Sequence, residues 1–147
     1  MMQKSKLIAG VLGVTLGAFG VHNFYLGKKD IGIIQIVVTV LTCGMGALWG
    51  TIEGFMIMAG VESRCRDANG VPLYEEEKTK ITAGLLGIFL GGYGIHNFYL
   101  GKKDIAIIQL VVSLITGIGA IWGLVEGVLI LCDYPGYQTD AYGNPLL

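Results

Sequence analysis

Long apolar stretches alternate with short polar ones along the chain. Four runs with few or no charged residues cover positions 7–26, 31–61, 81–100 and 105–132. Within these runs the only charged side chains are those of Glu53 and Glu126. An apolar helix needs about 20 residues to cross a bilayer, and each run reaches that length. The pattern therefore predicts an all-α integral membrane protein with transmembrane helices.

The chain contains two copies of one unit. The ten residues His-Asn-Phe-Tyr-Leu-Gly-Lys-Lys-Asp-Ile fill positions 22–31 and recur unchanged at 96–105. Both copies also end in the sequence Asp-x-x-Gly-x-Pro-Leu, at 67–73 and 140–146. A repeat of this length indicates that one structural unit occurs twice. We assign the first unit to residues 4–73, a linker to 74–77 and the second unit to 78–147.

Each unit is expected to form a helical hairpin, so that the chain comprises two tandem transmembrane hairpins. As one helix, residues 7–25 would rise roughly 28 Å, which matches a hydrocarbon core of about 30 Å. Residues 31–61 would rise roughly 46 Å, which is too long for one straight crossing. A break in the second helix at a glycine-rich point would resolve this mismatch. The glycines at that point are Gly44, Gly46, Gly117 and Gly119.

Glycines follow a helical spacing in both apolar segments of each unit. Steps of three or four residues place them on one face of a helix. Such faces let helices approach closely in a bilayer, where apolar burial supplies no drive between helices. The glycines that we expect to pack helices together are Gly13, Gly17 and Gly50 in the first unit and Gly87, Gly91 and Gly123 in the second.

Polar side chains within the apolar segments are costly in a bilayer, so they are the candidate functional residues. Three explanations are open for Glu53 and Glu126: solvation near the far interface, internal hydrogen bonding, or a place in an ion or proton pathway. His22 and His96 either fix the local turn through a hydrogen bond or relay protons. Two amide side chains belong to the same set, Gln35 and Gln109.

The repeated motif marks the turn between the two apolar segments of each unit. Its aromatic residues precede a Gly-Lys-Lys-Asp sequence, and aromatic rings next to lysines are typical of the membrane interface. We therefore interpret these aromatic residues as interface anchors and the glycine as part of the turn. The motif residues are His22, Asn23, Phe24, Tyr25 and Gly27, and His96, Asn97, Phe98, Tyr99 and Gly101.

Composition and charge exclude several classes of function. A net charge of -1 without a basic patch gives no electrostatic footprint for nucleic acid. The three cysteines show no Cys-x-x-Cys spacing, and the two histidines lie inside apolar segments, so no metal site is expected. No set of nucleophile, base and orienting group is evident, so we expect neither an enzyme nor a cofactor site.

The sequence Gly-Ala-Phe-Gly-Val-His-Asn-Phe-Tyr-Leu-Gly-Lys at 17–28 and its counterpart at 91–102 resemble the TM2 domain family. The resemblance implies a pair of transmembrane helices joined by a short polar connection, with a biochemical role that is generally unassigned. The family often has arginine directly after the histidine and commonly has aspartate at the late acidic position, whereas this chain has asparagine and glutamate there. Further residues that carry the resemblance are Gln35, Trp49, Gln109 and Trp122.

The sequence thus predicts a small multi-pass protein of the cell membrane that works as a non-enzymatic interaction or scaffold module. Glycine faces left over after each hairpin has packed would let it self-associate. The expected partners are the lipid bilayer, further copies of the chain or other membrane proteins. The alternative is a pore or an ion- or proton-coupled transporter that uses the intramembrane glutamates and histidines.

Overall fold

The computed structural model describes residues 2–147, and the chain divides into two compact units. These units are Met1–Glu76 and Glu77–Leu147, so the division lies within the stretch 74–77. The described residues form helices and three isolated β-bridges but no strand. The prediction of an all-α fold is confirmed.

Within the described residues, each unit contains four α-helices in the same order. In the first unit they are α1 (Lys6–Leu16), α2 (Val21–Tyr25), α3 (Lys29–Leu41) and α4 (Met45–Met58). In the second unit they are α5 (Lys80–Leu90), α6 (Ile95–Tyr99), α7 (Lys103–Thr116) and α8 (Gly119–Leu131). The most extensive helix contacts are those of α1 with α4 and of α5 with α8.

The first apolar segment of each unit is not one straight helix. Between α1 and α2, Gly17–Phe19 forms a 3-10 turn and Gly20 adopts a left-handed conformation with a φ of 62°. The prediction of a continuous helix over 7–25 is therefore wrong. A Cβ at Gly20 would lie 2.8 Å from the carbonyl oxygen of Gly32, so glycine allows the chain to turn against α3. The second unit repeats the break at Gly91–Tyr93 and Gly94.

The second apolar segment breaks at its glycine-rich point, as its excessive length predicts. Between α3 and α4, Cys43 and Gly44 have φ values of 52° and 111°. Between α7 and α8, Gly117 has a φ of 72°. Of the helices formed by residues 2–147, none combines the length and the apolar content that crossing a membrane requires.

Glycines form the contact between α1 and α4. A Cβ added at Gly13 would lie 2.6 Å from the Cα of Gly54, and one added at Gly17 would lie 2.6 Å from the carbonyl carbon of Gly50. Real Cβ atoms essentially never come within 3.0 Å of such neighbours, so the two backbones touch directly. The equivalent contact of α5 with α8 is made by Gly87, Gly91, Gly123 and Gly127. These glycine rows therefore face partners inside their own unit.

Backbone hydrogen bonds hold the two ends of each unit together. The N–H of Lys6 donates to the carbonyl of Tyr74 at 3.0 Å, and the N–H of Tyr74 donates to the carbonyl of Lys4 at 3.1 Å. Part of the stretch that the sequence assigns to a linker, 74–77, is thus built into the first unit. The second unit has the same pair of bonds between Leu147 and the two residues Lys78 and Lys80.

The Asp-x-x-Gly-x-Pro-Leu sequences form closed turns. Oδ1 of Asp67 accepts hydrogen bonds from the backbone N–H groups of Asn69 at 2.8 Å and Val71 at 2.9 Å. The backbone N–H that follows Asp67 donates to the carbonyl of Leu26, which fixes the tail to the end of α2. Asp140 organises the second tail in the same way.

Candidate functional site

Polar side chains lie inside each unit while large apolar side chains cover its outside. His22 and Gln35 have 0% of their surface exposed, and Glu53 has 4%. Val40 and Leu41, by contrast, are 72% and 77% exposed. Water-soluble proteins favour the opposite distribution, in which charged and amide side chains are mostly exposed. The buried polar cluster is the candidate functional site.

In the first unit, α2, α3 and α4 all contribute to the cluster. Nε2 of His22 lies 2.9 Å from Oε2 of Glu53. The amide of Asn23 donates to the same oxygen at 3.2 Å and to Oε1 of Gln35 at 2.9 Å. Trp49 lies one helical turn before Glu53 on α4, with its indole next to the carboxylate. One network of hydrogen bonds therefore ties three helices together.

Two side chains of α3 satisfy the backbone at the break in the first segment. Nε2 of Gln35 donates to the carbonyl of Gly17 at 2.7 Å, and the hydroxyl of Thr39 donates to the carbonyl of Ala18 at 2.7 Å. Carbonyl groups at a helix end lack helical N–H partners, and leaving one buried and unpaired costs about 1–3 kcal/mol. The polar residues of α3 thereby stabilise the 3-10 turn.

The first cluster includes an arginine from outside its helices. Arg64 ends the 3-10 turn Glu62–Arg64, and its Nη1 donates to Oε1 of Glu53 at 2.5 Å. The Arg64 side chain is 41% exposed and that of Glu53 is 5% exposed, so the guanidinium reaches from the surface to a buried carboxylate. Burying an ion costs several kcal/mol unless an opposite charge compensates it. Arg64 supplies that charge in the first unit.

The second unit repeats the core of the cluster. Nε2 of His96 lies 2.8 Å from Oε2 of Glu126. The amide of Asn97 donates to the same oxygen at 2.9 Å and to Oε1 of Gln109 at 2.8 Å. Trp122 lies one helical turn before Glu126 on α8, next to the carboxylate, as its counterpart does in the first unit. In both units, the contacts of the glutamate and the histidine are internal hydrogen bonds, which is one of the explanations that the sequence leaves open.

Two positions around the clusters differ between the units. Tyr137 stands in the second tail where the first has Arg64, and no lysine or arginine among residues 2–147 pairs with Glu126. The Glu126 side chain is 12% exposed, against 5% for its counterpart. Ser113 stands where α3 has Thr39, and its buried hydroxyl oxygen has no hydrogen-bond partner within the described chain.

The tyrosines of the repeated turn motif hold helices together. The hydroxyl groups of Tyr25 and Tyr99 accept hydrogen bonds, at 2.9 Å and 3.0 Å, from the backbone N–H of the residue before α1 and before α5. Phe98 and Tyr99 are 6% and 7% exposed, so both side chains pack inside their unit. Phe24 is 39% exposed. The turn glycines, with φ values of 81° and 80°, are Gly27 and Gly101.

Sequence reasoning missed two contributors to the first cluster, Arg64 and Thr39. Arg64 lies in the polar tail, where charged residues are expected and therefore do not suggest a site. The buried glutamate nevertheless requires a positive charge. Comparison of the two tails offers a signal, because they align at their aspartates yet differ at Arg64 and Tyr137. For Thr39 the signal is a hydroxyl that recurs, as Ser113, within an apolar stretch.

The clusters offer charge and hydrogen bonding rather than metal ligation. Each contains one carboxylate, one imidazole and two amides. Nowhere in the described part of the chain do three histidine, cysteine or carboxylate side chains come together as metal ligands would. The exposed cysteines Cys43 and Cys132 lie outside both clusters.

Comparison with known proteins gives one family match. The profile described as TM2 domain matches residues 2–55 and 76–128. A Bacillus subtilis protein with the name "Uncharacterized membrane protein YozV" is 43% identical over 56 residues, which are 38% of this chain and 70% of that protein. No solved structure matches the chain. Each matched range contains one complete cluster of histidine, asparagine, glutamine and glutamate, whereas Arg64 and Tyr137 lie outside both ranges.

Proposed function

Because the chain belongs to the TM2 domain family, we propose that it is a multi-pass protein of the cell membrane whose two units form a non-enzymatic structural and interaction module. The family and the Bacillus subtilis relative both point to a membrane protein of unassigned role. The observation that carries the proposal is the inverted distribution of polar and apolar side chains, with the polar cluster buried and the apolar residues outside.

The exposed apolar side chains occupy matching positions in the two units. Eight of them, on or next to the last turns of α3 and α7 and the outer faces of α4 and α8, are between 52% and 79% exposed. In water, exposed apolar surface costs about 25 cal/mol per Å², and contiguous patches promote association. Among lipid tails this cost disappears. The residues are Val40, Leu41, Leu48 and Ile52, and Leu114, Ile115, Ile121 and Val125.

The buried cluster has a structural role in this proposal. Away from water, an unpaired polar group costs several kcal/mol, and helix breaks expose such groups. Gln35 satisfies the carbonyl of Gly17, while Glu53 joins α4 to α2 through His22. The carboxylate and amide side chains of the cluster are engaged with each other and with the backbone, which supports a module without catalysis.

Self-association is part of the proposal, but through a different surface from the one that the sequence favours. The glycine rows contact partners inside their own unit, so they offer no free face to a second copy. We assign the contact with lipid, further copies or other membrane proteins to the exposed apolar surface. Crosslinking and mass measurement in mild detergent test this part, and a monomer at all protein concentrations would remove it.

Membrane embedding is tested by the accessibility of a nitroxide label. In a cysteine-free background, a label at Ile52→Cys in reconstituted bilayers should collide with dissolved oxygen and avoid a water-soluble nickel chelate, because Ile52 is 58% exposed and would face lipid. A label at Glu62→Cys provides the control, since this side chain is 88% exposed in the polar tail and should meet the nickel chelate. Free access of the chelate to both positions would contradict embedding.

A transporter is the second candidate, and one observation favours it. The Glu126 carboxylate lacks the arginine that Glu53 has and is the more exposed of the two. Ion or proton flux in proteoliposomes discriminates this function from a structural one. Flux that is lost in Glu126→Gln and kept in Glu53→Gln would favour transport through the second unit.

A further inference from the structure

We propose that the second unit binds a small guanidinium cation at the Glu126 carboxylate, in the position that Arg64 fills in the first unit. The site is defined by Glu126, His96, Asn97 and Trp122. It does not depend on how the units associate or on membrane embedding.

The first unit shows how such a cation is held. Three groups pair with the Glu53 carboxylate: the imidazole of His22 and the amide of Asn23 at Oε2, and the guanidinium of Arg64 at Oε1. A carboxylate offers lone pairs on both oxygens to donors. Both oxygens of Glu53 therefore have a partner, and the guanidinium balances the charge within the chain.

In the second unit the two partners lie at one carboxylate oxygen. Oε2 of Glu126 lies 2.8 Å from Nε2 of His96 and accepts a hydrogen bond from the amide of Asn97 at 2.9 Å. These two partners match those at Oε2 of Glu53 in residue type and in order along the chain. What differs is the group that brings the positive charge to Oε1.

The residue that aligns with Arg64 is engaged elsewhere. The ring of Tyr137 lies 6.4 Å from the ring of Tyr134, and Nζ of Lys102 lies 6.0 Å from the centre of the Tyr137 ring. A tyrosine hydroxyl also carries no charge at neutral pH. Neither Tyr137 nor Lys102 thus replaces the arginine at Glu126.

Burial and chemistry restrict the ligand. Glu126 as a whole is 9% exposed, so only a small cation can reach its carboxylate. A nearly buried carboxylate favours a partner that brings both positive charge and N–H donors, because the charge offsets desolvation and the donors satisfy the oxygen. A guanidinium ion has both properties, and its planar shape is that of the group bound at Glu53.

The test uses the fluorescence of Trp122, which lies next to the site. In full-length protein with Trp49→Phe, Trp122 is the only tryptophan, since the chain contains two. We expect methylguanidinium chloride to change its emission in a saturable way at constant ionic strength. Tetramethylammonium chloride has the same charge but no N–H donor, so it should bind at least about tenfold more weakly, a difference of about 1.4 kcal/mol.

Two variants with Trp49→Phe keep the result decisive. Glu126→Gln removes the charge and should abolish saturation. Tyr137→Arg leaves Glu126 in place and substitutes a half-buried tail residue, so folding should persist while the new guanidinium competes with the ligand and weakens its binding at least about tenfold. The reciprocal variant, Arg64→Gln with Trp122→Phe, should create binding reported by Trp49.

Three outcomes would overturn the proposal. The first is the absence of a saturable change with methylguanidinium in the folded protein, which would mean that the second cluster is complete without a cation from outside. The second is an equal response to tetramethylammonium, which would reduce the effect to charge screening. The third is binding that Tyr137→Arg leaves unchanged.

Discussion

Glu53 and Glu126 occupy the same place in two units of one chain, and they differ in the charge that faces them. The Glu53 carboxylate pairs with a histidine, an asparagine and the guanidinium of Arg64. Among residues 2–147, the Glu126 carboxylate pairs only with the histidine and the asparagine, and Tyr137 stands at the aligned tail position. The glycine contacts between the long helices, by contrast, are repeated in both units. The chain therefore varies the outer partner of the cluster and keeps the inner ones.

The comparison separates the residues that connect the helices in both units from the tail residue that only the first unit has. The histidine, the asparagine, the glutamine and the glutamate connect the helices in both units, and they lie inside the ranges that match the family profile. Arg64 and Tyr137 lie outside those ranges. A functional difference between the units is expected to depend on the tails, where one side chain decides whether the glutamate faces a guanidinium of its own chain.

The largest expected effect concerns what the units share. Gly50→Leu and Gly123→Leu should each destabilise their unit by about 3 kcal/mol or more, because overpacking costs 1–3 kcal/mol where side chains can move aside and here the obstacle is backbone. The backbones in question are those of Gly17 and Gly91, which a Cβ at the substituted positions would meet within 3.0 Å. Thermal unfolding in detergent measures the loss.

A matched control for the glycine variants is Ile34→Leu, since Ile34 is 53% exposed and the exchange keeps its volume. This variant should unfold like the wild type. Wild-type stability in both glycine variants would show that α1 and α4, and likewise α5 and α8, do not pack as described, and damage in only one variant would break the equivalence of the units.

The next largest effect concerns the tail position at which the two units differ, Arg64 in the first and Tyr137 in the second. Arg64→Tyr gives the first tail the residue of the second, and it should destabilise the first unit by about 1–2 kcal/mol, because the carboxylate of Glu53 loses its counter-charge. This figure is below the usual cost of breaking a buried pair, since the Arg64 side chain is 41% exposed and partly screened by solvent. Unfolding followed through Trp49 alone measures it.

The reverse exchange sharpens the comparison. Tyr137→Arg should stabilise the second unit by up to about 1 kcal/mol, measured through Trp122 alone, because it supplies a guanidinium to Glu126. In the double variant, each unit should acquire the stability pattern of the other. If both exchanges leave the melting curves in place, the charge around the two glutamates is not what distinguishes the units.

A smaller effect is expected at the hydroxyl residues of α3 and α7. Thr39→Ser should cost up to about 1 kcal/mol, because a serine rotates more freely and bonds less consistently to the carbonyl of Ala18. Ser113→Thr should give a gain of similar size in the second unit, where the hydroxyl lacks a partner among the described residues. Melting of single-tryptophan proteins measures both changes, and a destabilising Ser113→Thr would contradict the expectation.

The smallest effect distinguishes the tails by pH. Burial alone would raise the pKa of Asp140, but hydrogen bonds from Asn144 and Tyr142 and the charge of Lys78 hold that pKa below its ordinary value of 3.8. The charged carboxylate therefore stabilises the folded tail above about pH 4, and this contribution is lost as the pH falls through the lowered pKa. Exchange protection of the Asn144 amide should follow that loss.

The control for the tail is Asp140→Asn, which carries no titrating group at that position. Its amide exchange should lack the acid transition. A wild-type tail that opens already at a pH above about 5 would contradict the sign of the shift, because a carboxylate with a lowered pKa is still charged there.

Much of the helical framework follows from the sequence. The repeated ten residues give two equivalent units, and the length of 31–61 requires a break that the chain makes at Gly44. The break at Gly17–Phe19 is not predicted, because glycines at steps of three and four fit a straight packing face equally well. The straight and the broken helix differ in the turn at Gly20, which packs against Gly32. These two residues belong to different apolar segments, so a helical spacing within one segment does not reveal their contact.

Only part of the cluster can be predicted from the sequence, because contacts between different segments do not follow from local pattern. The polar residues of the apolar segments can be singled out because each is expensive to bury, but their partners depend on how the helices cross. Gln35 satisfies a carbonyl that exists only because the first segment is broken. Arg64 joins Glu53 from a tail whose polar composition predicts exposure. Local pattern therefore identifies the members inside the helices and misses the one outside.

The pairing of the backbone ends has a consequence for how such a chain can be lengthened. Lys4, Lys6 and Tyr74 lie side by side in the first unit, as do Lys78, Lys80 and Leu147 in the second. When the first and last residues of a unit are neighbours, a second copy can follow the first along the chain without disturbing its packing. A duplication of the unit therefore yields two complete folds. Each copy keeps its interior while its edge can differ, and the aligned positions Arg64 and Tyr137 are such a difference.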